Sequence, residues 1–106
     1  VAAYLESHGF QIEAMNLRLG RLEIDVVARR GDLIVVVEVR TRGPRAWASG
    51  FGSIDAAKRA RLRRAGERLW QRTYRADPTV ARLRFDAASV TFDADGPIIE
   101  YAEAAF

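Results

Sequence analysis

An α/β (α+β) fold is predicted for these 106 residues, because their patterns follow one another as α-β-β-β-α-β-β. Three observations carry that assignment. The run Leu33–Thr41 is rich in β-branched residues, and Arg21–Ala28 before it alternates side chains across a Gly31-Asp32 turn signal. A long helical pattern starts at Ser53 or Asp55 and runs to about Tyr74. Strand patterns then resume at Arg82.

Taken in order, Val1 to Ser7 reads as the end of a helix, with Gly9 as its stop signal. Phe10 to Leu17 is the first strand. In the second, Leu22, Ile24, Val26 and Ala28 are expected on one face, and Arg21, Glu23, Asp25 and Val27 on the other. Leu33 to Thr41 is the third, and Arg42 to Gly52 is a Gly/Pro loop. The long helix buries a stripe of Ile54, Leu62, Ala65 and Leu69, and Asp77-Pro78 closes it. Trp70 and Tyr74 either pack or form a dimer contact. Arg82 to Phe92 is a strand, Asp95-Gly96-Pro97 a turn, and Pro97 to Tyr101 a short last strand.

Length and composition bound the chemistry. The expectation is one domain over residues 1–106, lacking its first N-terminal residues because the chain starts at Val1. With no cysteine, disulfide scaffolds, thiolate zinc sites and cysteine nucleophiles are excluded, and a single histidine, His8, excludes a His-rich metal site. No apolar run approaches the roughly 20 residues of a membrane span. No signal-peptide pattern is visible, so a cytoplasmic location without membrane contact is expected.

The net charge of +3 hides a strong asymmetry. Residues 40–75 hold eleven basic and two acidic groups, whereas the rest of the chain holds six basic and twelve acidic. Nucleic acid or an acidic surface is the usual partner of such a segment. Arg61, Arg64, Arg68, Arg72 and Arg75 form one stripe along the predicted helix, with almost no acidic partners. Like charges at that spacing repel, and guanidinium groups suit phosphate. The stripe is either a nucleic-acid contact or a solvated Arg-rich face. In the loop, Arg42, Arg45 and Trp47 suit backbone contact and base stacking, unless Trp47 and Phe51 fold back onto the core.

The hairpin Arg21–Thr41 carries the most chemical information. A two-residue turn at Gly31-Asp32 pairs residues whose numbers sum to 63, so Asp25 faces Glu38 and Glu23 faces Arg40. Like charges so opposed are destabilising. Leu22, Ile24, Val26, Val35, Val37 and Val39 make the other face apolar. The polar face is either solvated, with cross-strand ion pairs, or partly buried, since it also carries Val27, Ile34 and Val36. Buried carboxylates need a counter-charge, which a divalent cation can supply, and Mg²⁺ favours one or two carboxylates plus waters and phosphate oxygens.

Asp25, followed after twelve residues by Glu38-Val39-Arg40 in a β-rich strand, resembles the PD-(D/E)xK nuclease signature. The ordered set Tyr4-Leu5, Gly9-Phe10, Asn16, Gly20, Glu23-Ile24-Asp25, Glu38-Val39-Arg40-Thr41-Arg42, Phe51-Gly52, Lys58 and Arg84-Phe85-Asp86 resembles the YraN-like family of small bacterial proteins over nearly the whole chain. The resemblance implies a restriction-endonuclease-like αβββαβ core, a mixed central sheet flanked by helices, similar to archaeal Holliday-junction resolvases. It implies Mg²⁺ or Mn²⁺ on Asp25, Glu38 and the Val39 carbonyl, with DNA, branched DNA included, as substrate. A homodimer follows only by analogy with resolvases.

Two departures from the family pattern matter. Arg40 stands where the motif lysine is usual, and arginine stays charged and clamps phosphate better than it handles a proton. The glutamate that the family's N-terminal helix brings near the site would lie before Val1. Lys58 is either a snorkelling lysine or one that reaches the carboxylates and replaces the motif lysine. Arg40 or Lys58 would then stabilise charge on the phosphorane. Asp86 is either a supporting group or a partner for Arg84's strand neighbours. Two other functions stay open: a nucleic-acid-binding module that cleaves slowly or not at all, and an interaction protein whose basic helix meets an acidic partner.

Overall fold

The computed structural model describes residues 1–42 and 55–106, with Arg42 described by its backbone alone. The elements are α1 (Ala2–Ser7), β1 (Gln11–Leu19), β2 (Leu22–Arg30), β3 (Leu33–Arg42), α2 (Ala56–Leu69), β4 (Arg82–Asp93) and β5 (Gly96–Ala102). They follow the predicted order. A π-helical turn, Trp70–Tyr74, extends α2. Among the described residues no helix is long and apolar enough to cross a membrane.

One five-stranded mixed sheet runs in the order β1-β2-β3-β4-β5. β1, β2 and β3 are antiparallel neighbours, β3 and β4 are parallel, and β5 returns antiparallel to β4. Antiparallel neighbours can be joined by tight turns, whereas the parallel pair needs a crossover, which α2 supplies. Val26↔Val37 through Arg30↔Leu33 keep the register that the Gly31-Asp32 turn predicts. The last turn lies one residue earlier than expected: Asp93 pairs with Gly96, so Gly96 and Pro97 already belong to β5.

Strand alternation divides the core between the two faces of the sheet. Val27, Ile34 and Val36 pack with Ala65, Leu69 and Tyr74 on the α2 side. Val26, Ala28, Val35 and Val37 pack with Leu5 and Phe10 on the α1 side. Leu62, Ala65 and Leu69 are the buried residues of the predicted helix stripe, and Ile54 lies outside the described residues. Of the two roles open to Trp70 and Tyr74, packing is observed, against this same core. At Gly66 the helix comes very close to the sheet, since a Cβ there would lie 2.5 Å from the Phe85 ring.

One expectation about β2 fails. Simple alternation puts Ile24 on the face of Val26, but it packs with Val27 on the α2 side. Across the ladder, Leu17 pairs with Ile24 and Met15 with Val26. Between those pairs Asn16 adopts φ +50°, a left-handed conformation that Asn tolerates better than most residues. The alternation of β2 breaks opposite that kink, at Asp25.

Candidate functional site

Asp25 sits at the point where β2 and β3 stop pairing. Their ladder ends at Val26↔Val37, and beyond it the Asp25 carboxylate accepts a hydrogen bond from the Val39 N–H at 2.8 Å. A side-chain oxygen thus satisfies a backbone donor of β3. The bond fixes the carboxylate beside Glu38-Val39-Arg40.

Glu38 continues β3 on the α2 side of the sheet, paired through its backbone with Ala87 of β4. Its side chain is only 7% exposed. Lys58 reaches it from the first turn of α2, with Nζ 2.6 Å from Glu38 Oε1. Asp55 caps the helix by accepting the Lys58 N–H at 2.8 Å, which holds the backbone from which the lysine extends. Arg40 Nε stands 3.9 Å from the same Glu38 oxygen. Burial pushes the Glu38 carboxyl above its ordinary range, Asp25 pushes the same way, and Lys58 opposes both; the net direction is upward.

Asp25, Glu38 and Lys58 line a cavity of about 240 Å³ together with Arg21, Leu22, Glu23, Arg61 and Leu62. Asp25 and Glu38 lie within, and three cations, Arg21, Lys58 and Arg61, border them. Sequence reasoning does not single out Arg21. Alternation puts it on the face of Glu23 and Asp25 without giving it a role, and Gly20, with φ +68°, makes the tight β1–β2 turn that presents it.

The other predicted residues fall differently. Glu23 lines the cavity but pairs across β1–β2 with Arg18, at 3.9 Å between exposed side chains, and the β2–β3 pairing that would set it opposite Arg40 does not extend that far. Asp86 lies on the other face of the sheet and is fully buried. Arg84 grips it with two bonds of 2.8 and 2.9 Å, the Tyr101 hydroxyl donates at 2.6 Å, and the Ala104 N–H donates at 3.0 Å. It therefore anchors the C-terminal segment to β4. Burial, and next the bond to Asp86, push the Tyr101 phenol upward.

Of the arginine stripe, Arg61 borders the carboxylate cavity, and Arg64, Arg68 and Arg72 line a second, shallower hollow of about 450 Å³ with Glu67 and Gln71. Arg68 also donates to the Leu19 carbonyl at 3.1 Å, tying α2 to the end of β1. Arg75 follows the π-helical turn and donates to Gln71 at 2.9 Å. Arg45 and Trp47, with the side chain of Arg42, lie outside the described residues.

Asp25 and Glu38 line the same cavity, and their mutual repulsion is relieved by any added positive charge. Two carboxylates are the number that Mg²⁺ commonly takes from a protein, with water and phosphate oxygens making up the rest of its shell. Among the described residues no cluster of three or more His, Asp or Glu side chains could hold a metal.

Comparison with known proteins points to one family from two directions. A family model described as "Uncharacterised protein family UPF0102" matches residues 1–90. A UPF0102 protein of Sorangium cellulosum is 55% identical over the whole chain, which covers 74% of that relative. One from Porphyromonas gingivalis is 41% identical over 97% of the chain and 75% of its own length, and one from Leifsonia xyli 40% over 84% and 73%. The chain belongs to the UPF0102 family.

Proposed function

We propose that this protein is a member of the PD-(D/E)xK nuclease superfamily that binds DNA in the cytoplasm and hydrolyses phosphodiester bonds with Mg²⁺ or Mn²⁺, branched DNA being included among its substrates. The observation that carries the proposal is the convergence of Asp25 and Glu38 with Lys58 in a cavity bordered by cations. Asp25, Glu38 and the Val39 carbonyl would hold the metal, which when bound polarises a phosphate oxygen and lowers the pKa of a water.

The chain's own residues supply the rest. Arg21 and Arg61 border the cavity where they can hold a phosphate against the carboxylates, as guanidinium groups do well. Lys58 takes the place of the missing motif lysine, because its ammonium already stands at Glu38, where a phosphate oxygen would arrive. Arg40, on the same carboxylate, keeps its charge through the reaction and stabilises charge on the phosphorane. Arg64 and Arg72 extend the basic surface along α2 and would position the strand without reading its sequence.

A second function is favoured by one specific observation. Arg40 occupies the motif position, and an arginine cannot take a proton from water. If Lys58 does not replace it in chemistry, the protein binds DNA and leaves it intact. A cleavage panel separates the two, with single-stranded, duplex, flap and four-way DNA incubated with Mg²⁺, Mn²⁺ or chelator. The nuclease assignment expects metal-dependent cleavage of at least one substrate. Binding without cleavage of any of them, in either metal, assigns the binding module instead.

A further inference from the structure

We propose that Lys58 is a displaceable counter-ion that keeps the divalent cation off Glu38 until a nucleic-acid phosphate draws it away, so that cation binding and nucleic-acid binding favour each other. This role rests on the metal site proposed above and adds how that site would be controlled.

The contact is a direct one. Lys58 Nζ lies 2.6 Å from Glu38 Oε1, and a cation ligated by that oxygen would need the same space and would repel the ammonium. Glu38 is almost fully buried, so when ionised it has little water to turn to and needs a positive partner. The two states differ only in which partner that is.

Lys58 is equipped to leave. It is the chain's only lysine among 17 basic residues, and it meets Glu38 as a compact ammonium on a flexible stem. Its side chain is 30% exposed, so its head can turn outward without crossing the core. It stands in the first turn of α2, an end of the helix that disfavours a cation and favours an anion. A phosphate arriving between Lys58 and Arg61 would meet both charges at the mouth of the cavity. Arg40 remains 3.9 Å from Glu38 in β3, so the carboxylate is not abandoned during the exchange.

The experiment titrates the full chain with Mn²⁺ and follows the free-ion signal by electron paramagnetic resonance. It is run with and without a duplex carrying phosphorothioate linkages that resist cleavage. Without DNA, Lys58→Met should bind Mn²⁺ about tenfold tighter than the parent, the effect of removing one competing charge worth about one decade. With DNA, the parent should tighten by a similar factor and Lys58→Met should change little. Lys58→Gln serves as a second variant, should Met disturb folding. Unchanged or weaker Mn²⁺ binding in both variants overturns the counter-ion role and leaves the metal site standing. Absence of Mn²⁺ binding in the parent and in both variants overturns this proposal together with the metal-dependent function.

Discussion

At the scale of single residues, Glu38 is the most informative group. A buried carboxylate beside a second carboxylate is a poor choice for stability, and its raised pKa records that cost. The sign follows from linkage. A group whose folded pKa is raised contributes stability fully below its ordinary value, here 4.5, and loses that contribution as pH rises through the folded pKa. Glu38→Gln resembles the neutral acid at every pH. Its urea midpoint at pH 7 should therefore exceed that of the parent, and the difference should vanish below about pH 4.5. A parent more stable than Glu38→Gln at pH 7 would show that Lys58 outweighs burial. A gain in stability paired with a loss of function is the usual signature of a site strained for activity. Lys58 itself was only half legible in the sequence. Helical periodicity put it on the inner side of α2, but no local pattern decides whether a lysine there snorkels or reaches a carboxylate twenty positions earlier. That pairing depends on how α2 docks, which is tertiary.

At the scale of elements, the hairpin was legible because a two-residue turn at Gly31-Asp32 fixes its register, which aligns Val26 with Val37. Legibility ended at Asp25. The left-handed backbone at Asn16 switches the face of Ile24, and an αL asparagine leaves no trace in hydrophobic alternation. That break also keeps Glu23 from facing Arg40. The order of strands and helices was readable throughout; the π-helical turn after α2 was not, since its side-chain pattern continues the helix. Two substitutions test how α2 is seated. Asp55→Ala removes the cap on the Lys58 N–H and should lower stability by about 1 kcal/mol in urea unfolding. Gly66→Ala would gain about 1 kcal/mol in helix propensity, but its methyl meets the Phe85 ring, and overpacking costs about 1–3 kcal/mol. A net loss is expected, with Phe85→Leu restoring part of it; a raised midpoint in Gly66→Ala would mean that the ring moves aside freely.

At the scale of the whole molecule, charge is sorted by place. The net +3 resolves into a basic segment, residues 40–75, from which Lys58 and Arg61 border the acidic pair Asp25 and Glu38. Arg61, Arg64 and Arg72 are exposed on α2 and the turn that extends it, while Arg68 is partly spent on the Leu19 carbonyl. DNA affinity should therefore fall steeply with salt. The triple variant Arg61→Gln, Arg64→Gln, Arg72→Gln should flatten the plot of log K against log salt by about 0.9 for each phosphate no longer neutralised, as read by fluorescence anisotropy over a salt series. An unchanged slope would move the interface elsewhere on the surface. Asp86 shows where motif reading exceeds its reach. Arg84-Phe85-Asp86 belongs to the family pattern, yet in the fold it closes the C-terminal segment over the opposite face of the sheet.

Cleavage and binding of the same DNA by the parent and by Glu38→Ala, in Mn²⁺ at single turnover, test whether Glu38 belongs to a catalytic centre. If Glu38 belongs to a phosphodiester-hydrolysing site, cleavage should fall by at least about a hundredfold, the scale of losing one charge-stabilising group in a catalytic centre. DNA affinity should stay within about threefold, because the proposed interface is the arginines of α2 and not Glu38. Cleavage retained by Glu38→Ala, with folding and binding intact, would contradict the assignment of this cavity as the catalytic site.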